Sequence, residues 1–139
     1  MSAIYKIIEK KKLDIVNRPI SKAHGLPNEC YTNKDYTLIE RKKIFENKWT
    51  VVGVASSLPN IGDVKPFDLL GLPIFLIRNK KNQIKVFHNV CSHRGVKLID
   101  KKSNIRNVIR CPYHSWSYTS DGKLIATPHI GGMNKHSSP

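Results

Sequence analysis

Four side chains in two short stretches constrain this chain more tightly than anything else in it. The first stretch is Cys91-Ser92-His93-Arg94-Gly95, and the second is Cys111-Pro112-Tyr113-His114-Ser115-Trp116. Together they read Cys-x-His, 17 residues, then Cys-x-x-His. Each half offers one soft thiolate and one imidazole from a tight loop, and strand-like residues separate the halves. A single linear cluster could not gather four such donors. Two loops at the ends of neighbouring strands can converge on one point, so the pattern calls for a β framework with paired loop tips.

The donor set narrows the metal. One tetrahedral zinc on two Cys and two His is the first candidate, but zinc-finger spacing puts both Cys together and then both His. Here each loop contributes one of each. A [2Fe–2S] cluster of the mixed kind, with two Cys on one iron and two His on the other, lets each loop touch both irons. Its charge explains the imidazoles: two ferric ions, two sulfides and two thiolates sum to neutrality. Four thiolates would leave the oxidised site doubly negative and harder to reduce. Neutral imidazoles therefore raise the reduction potential into the range of about −150 to +300 mV.

The surrounding residues supply the framework. Residues 33–49, NKDYTLIERKKIFENKW, read as an amphipathic helix capped by Asn33 or Asp35, with Leu38, Phe45 and Trp49 on its apolar stripe. Thr50–Val54 reads as a strand, and Pro59-Asn60 and Gly62-Asp63 mark turns. Residues 73–78 and 83–88 flank Asn79–Asn82 as a hairpin; residues 107–110, 115–118 and 124–126 read as further short strands, with a turn at Ser120–Lys123. Such spacing predicts an antiparallel sandwich or a barrel-like fold.

With 139 residues there is room for one domain of ordinary size. No stretch approaches the ~18 apolar residues of a membrane span, and charges interrupt the N-terminus too often for a signal peptide. A cytoplasmic chain is the expectation, with no membrane partner. The net charge is +14, yet 18 of the 24 basic residues are Lys, spread along the whole chain. That distribution reads as compositional bias or an acidic protein partner, and not as a nucleic-acid surface, where Arg is favoured. Cys30 has no partner outside the four donors and is expected to be a free thiol; His24, His88, His129 and His136 are expected to be ordinary histidines.

The pairing of Cys-x-His-Arg-Gly with Cys-Pro-Tyr-His-x-Trp-x-Tyr resembles the Rieske domain of aromatic-ring-hydroxylating oxygenase α subunits, and only their N-terminal part. The likeness runs from about Tyr31 to Gly132 and takes in Lys48-Trp49, Leu58-Pro59, Gly62-Asp63 and Phe87-His88-Asn89-Val90. It departs at Ser115, where that family usually has Gly. The resemblance implies a mainly β fold: a Rieske-type antiparallel β-sandwich with a cluster-binding subdomain of two hairpin loops, preceded by one N-terminal helix. The implied organisation is an N-terminal extension over 1–32, the Rieske domain over 33–132 and a flexible tail over 133–139.

The same resemblance implies a Rieske-type [2Fe–2S] cluster with Cys91 and Cys111 on one iron and His93 and His114 on the other. Arg94, Gly95, Pro112 and Trp116 would house it: Gly95 by a φ > 0 turn or a close backbone approach, Pro112 by stiffening the second loop. No catalytic residue is expected, because the mononuclear iron that activates O₂ sits in a further domain, on a two-His-one-carboxylate triad that this chain cannot assemble. The implied partners are a reductase or ferredoxin as electron donor and a mononuclear-iron oxygenase domain on another chain. The function expected is single-electron transfer within an oxygenase, the alternative being an independent Rieske-type ferredoxin.

Overall fold

A computed structural model describes residues 3–128, 130 and 136–137. The chain forms two compact units, Met1–Val51 and Val52–Pro139. The first is helical: a 3₁₀ turn over Ala3–Lys6, then α1 (Lys10–Val16), α2 (Glu29–Thr32) and α3 (Lys34–Glu40). Asn33 caps α3, its side-chain oxygen accepting from the amides of Asp35 (2.9 Å) and Tyr36 (3.1 Å), which satisfies donors that the first turn would otherwise leave open.

Beyond Glu40 the helix widens into a π turn over Arg41–Phe45, closed by an Arg41–Glu46 ion pair at 2.8 Å. This widening breaks the 3.6-residue phase on which the expected stripe depended. Leu38, within α3, is more than half exposed, and Trp49, beyond the helix, is fully exposed. Cys30 is a free, buried thiol in α2, as expected. Among the described residues no helix is long and apolar enough to cross a membrane.

The second unit consists of two antiparallel four-stranded sheets. One runs in the order β3 (Ile84–His88), β2 (Leu72–Arg78), β1 (Asp63–Leu69), β4 (Ser103–Asn104). The other runs β5 (Val108–Arg110), β6 (Ser117–Thr119), β7 (Leu124–Pro128), β8 (His136–Ser137). The hairpin expected around Asn79–Asn82 is β2–β3, in register from Ile74 opposite His88 to Arg78 opposite Ile84. Two expectations fail. Residues 50–54 form no strand pairing among the described residues despite their valines, and Val51 and Val54 lie exposed. Conversely, β1 falls where only a turn was read, because Pro66 and Asp68 dilute its strand signal. Pro66 is tolerated because β4 pairs with β1 only at Asp63 and Val64, so the edge beside the proline needs no amide.

Both sheets share one core: Val64, Phe75 and Ile77 from the first sheet meet Ile109 and Tyr118 from the second, with Cys91, Ile99 and Cys111 among them. A buried amide also ties the turns of the two sheets. Asn79 donates to Asp121 (2.7 Å), and its oxygen accepts from the amides of Lys81 and Gln83. Within the tail expected to be loose, His136–Ser137 pair with Thr127–Pro128; the remaining tail residues, and His129, lie outside the described residues.

Candidate metal centre

Each donor-bearing stretch folds by the same backbone rule. In the first, the Cys91 amide donates to the Val96 carbonyl (2.8 Å), and the Gly95 amide returns to the Cys91 carbonyl (2.9 Å). In the second, the Cys111 amide donates to Trp116 (2.8 Å), and the Ser115 amide returns to Cys111 (3.1 Å). The two loops are thus equivalent position by position, Cys91 with Cys111 and Gly95 with Ser115. Gly95 takes φ +71° and Ser115 takes φ +59°. A Cβ at Gly95 would meet nothing within 4 Å, so the turn needs its left-handed backbone and not its lack of bulk.

Ser115 therefore carries a strain that its glycine counterpart avoids, of about 1 kcal/mol. The Ser117 hydroxyl, donating to the Ser115 carbonyl at 2.9 Å, helps to hold that geometry. Ser115→Gly should accordingly raise the stability of the chain by about 1 kcal/mol. Thermal unfolding would register this as a higher Tm; an unchanged or lower Tm would mean that the serine side chain makes compensating contacts.

Equivalent loops deliver their donors as pairs. The His93 and His114 rings lie 4.7 Å apart, centroid to centroid. Cys91 and Cys111 are both buried and free, and their thiols interact. Burial pushes the Cys91 thiol up, but the Tyr118 hydroxyl, the His93 amide, the Cys111 thiol and the Arg94 amide together outweigh it and hold the group below the ordinary thiol range. The surroundings of Cys91 thus favour its thiolate. Among the described residues no three His, Cys, Asp or Glu side chains gather at a single ion-sized point. Two buried sulfurs beside each other and two imidazoles beside each other instead match the demands of a cluster with one iron for each pair.

The neighbours expected around the site divide by role. Trp116 stacks on His93, with ring centroids 4.8 Å apart and planes 10° apart, and its indole N–H finds no hydrogen-bond partner among the described residues. Pro112 and Arg94 are exposed, and Arg94 makes no ion pair among the described residues. His88 ends β3 on the surface.

Two residues do more than their sequence context foretold. Asn89 is buried, accepts from the amides of Leu98 (3.0 Å) and Ile99 (2.9 Å), and donates to the Ile99 carbonyl (2.7 Å), so one side chain clamps the base of the first loop. An Asn that ends a strand just before a turn was the available signal, since its amide can stand in for a strand partner. Tyr118 is the other. A register shift at Ser117/Tyr118 marks β6, the kind of irregularity that re-aims a side chain. The Tyr118 hydroxyl accepts from the Ser92 amide (3.1 Å), which leaves its own proton for the Cys91 sulfur at 3.3 Å.

A hydroxyl donor to sulfur stabilises the more negative, reduced state. Tyr118→Phe should therefore lower the potential of the loaded protein by roughly 50 mV, taking ~1 kcal/mol for the hydrogen bond and ~2.3 kcal/mol per 100 mV. Voltammetry on both proteins would test this, and equal potentials would remove Tyr118 from the account.

Comparison with known proteins gives a consistent setting. A family model described as the Rieske [2Fe-2S] domain matches residues 48–137. The carnitine monooxygenase oxygenase subunit of Acinetobacter baumannii is 33% identical over 99% of this chain and 37% of its own length. The solved quaternary ammonium Rieske monooxygenase in complex with L-carnitine superposes with a TM-score of 0.71 at 31% identity, covering 84% of this chain and 33% of that one. Naphthalene 1,2-dioxygenase from Rhodococcus sp. superposes with a TM-score of 0.66 at 27% identity, over 74% of this chain and 23% of its own. The chain thus spans about a third or less of the length of these relatives. The aromatic-ring expectation widens accordingly, since both ring-oxidising and quaternary-ammonium-oxidising enzymes share this fold.

Proposed function

Because the chain belongs to the Rieske [2Fe-2S] domain family, we propose that Cys91 and Cys111 hold one iron of its cluster, that His93 and His114 hold the other, and that the chain serves as the electron-transfer part of an oxygenase. Bound there, the cluster supplies a carrier for one electron at a time. The observation that carries this reading is the pair of equivalent loops, each bringing one sulfur and one imidazole to its counterpart.

The chain's own residues then have definite tasks. Asn89 fixes the base of the first loop, and Tyr118 directs its proton at the Cys91 sulfur. Trp116 keeps the His93 ring oriented by stacking on it. Arg94, Gly95 and Pro112 shape the loop surfaces around the donors. Electrons arrive from a reductase or ferredoxin and leave for a mononuclear iron held by an oxygenase domain, in a cytoplasm that keeps the thiols reduced. The relatives compared are oxygenases, which favours this role over that of an independent ferredoxin.

The test is chemical analysis of the purified, reconstituted chain. About two irons and two acid-labile sulfides per chain should accompany broad visible absorption and a rhombic EPR signal on reduction. A protein that holds zinc and no labile sulfide would overturn the assignment.

A further inference from the structure

The segment between the two donor loops has a charge that the electron-transfer site itself does not require. Residues 94–110 carry Arg94, Lys97, Lys101, Lys102, Arg106 and Arg110 against Asp100 alone, a net +5 in 17 residues. The other 71 residues of 52–139 carry seven cations and three carboxylates, a net +4. All six cations of the segment are exposed, and none forms an ion pair among the described residues.

Along the chain they form a basic ridge between the two donor loops. The segment leaves the first donor loop, passes through β4 at the edge of one sheet, and enters β5 at the edge of the other. Lys101 and Arg110 line one open hollow with Asp100, Ser103, Ile105 and Val108. At one end Arg94 adjoins exposed His93; at the other Arg110 adjoins Cys111. Tyr113 is 56% exposed, and its ring lies 3.7 Å from that of His114, centroid to centroid. An exposed tyrosine with arginines that form no ion pair among the described residues has the composition of a docking centre, and the lysines add long-range attraction.

We propose that this ridge is the docking surface for an acidic one-electron carrier protein, seated so that its redox group faces His93 and Tyr113. The proposal rests on the assignment of the cluster donors above. In the exchange the reduced carrier loses one electron and this chain's centre gains it, with no bond made or broken. Charge complementarity selects the occupant: a second copy of this chain would present the same positive ridge and be repelled. Cations on edge strands also prevent strand-to-strand aggregation. That guarding role would survive charge reversal, because Glu blocks strand addition as well as Lys does, whereas a docking role would not.

The experiment compares the parent with two triple variants of equal total charge. One reverses the ridge (Lys97→Glu, Lys101→Glu, Arg110→Glu); the other reverses exposed lysines of the β2–β3 and β6–β7 hairpins (Lys81→Glu, Lys85→Glu, Lys123→Glu). Each is titrated calorimetrically with an acidic plant-type [2Fe–2S] ferredoxin at about 20 mM and about 200 mM salt, where screening lengths differ severalfold. Binding to the parent should weaken about tenfold with salt, and the ridge variant should bind at least ~10-fold more weakly than the parent at low salt. The other variant should stay within about twofold of the parent. Equal loss in both variants, salt-independent binding by the parent, or no binding by the parent would overturn the ridge. Affinity is read without a loaded cluster, so a chain that fails to take up iron and sulfide would defeat the functional assignment and leave this result standing. Where the cluster is present, its reduction by ferredoxin should follow the affinities, while reduction by the neutral reductant durohydroquinone should be the same in all three proteins.

Discussion

His93→Cys should lower the reduction potential of the loaded chain by about 180 mV. The estimate follows from charge: a thiolate in place of a neutral imidazole puts one more negative charge ~4 Å from the incoming electron, which costs ~4 kcal/mol at an effective dielectric constant of ~20. At ~2.3 kcal/mol per 100 mV this becomes the stated shift. His93 suits the experiment because its side is exposed and its ring contacts are stacking on Trp116 and an edge contact with His114, so a smaller side chain leaves the backbone turn from Cys91 to Val96 in place. Voltammetry is the readout, with iron and sulfide content checked in the same sample. A potential within ~30 mV of the parent would mean that position 93 does not face the redox centre, and the pairing of donors would have to be redrawn.

The effect should exceed that of Tyr118→Phe several times over, and the difference is instructive. Removing Tyr118 takes away one dipole aimed at a sulfur, whereas replacing His93 adds a full charge. A result in the reverse order would place the electron nearer the Cys91 side and make the hydroxyl the dominant control.

The donors were legible in the sequence because their chemistry is local: four residue types at fixed spacing within two turns. The β2–β3 hairpin was legible for a similar reason, since Ile74–Ile77 is a continuous apolar run and the residues after it favour a turn. Features set by distant partners were not legible. The segment 50–54 has the composition of a strand, but no strand among the described residues offers it a ladder; β1 has a poor composition, yet β2 and β4 bracket it. The same limit hid the role of Asn89 and the hydroxyl contact of Tyr118. Tyr118 belongs to the motif and reads equally as a neighbour of the cluster or as a core aromatic, until β6 pairs with β5 and sets its hydroxyl against a sulfur 27 residues away. The equivalence of Gly95 and Ser115 was obscured because the histidines sit at different offsets from their cysteines, and only the backbone hydrogen bonds align the loops.

The same dependence on distant partners makes Gly62→Ala the most damaging small substitution outside the donors. Gly62 sits at φ +87°, where a Cβ would run into the Arg106 carbonyl and lie 2.8 Å from the Arg106 Cα. Its backbone has no room to yield: the Gly62 amide donates to the Arg78 carbonyl (2.8 Å), and its own carbonyl accepts from the Ile105 amide (2.9 Å). Asn104 bridges the same crossing by donating to the Ile61 carbonyl and the Asp63 carboxylate. This is where the chain is stitched before it enters β5, the strand that delivers Cys111. Left-handed strain of ~1–2 kcal/mol and one or two weakened hydrogen bonds at ~1 kcal/mol each sum to a loss of about 3 kcal/mol. Thermal unfolding should show a Tm roughly 10 °C lower. Gly25→Ala is the matched control, since a Cβ there meets nothing within 4 Å; its Tm should stay within about 2 °C of the parent. Equal Tm values for the two alanine variants would show that residues 104–107 can move aside freely. The crossing would then have no part in positioning the second donor loop.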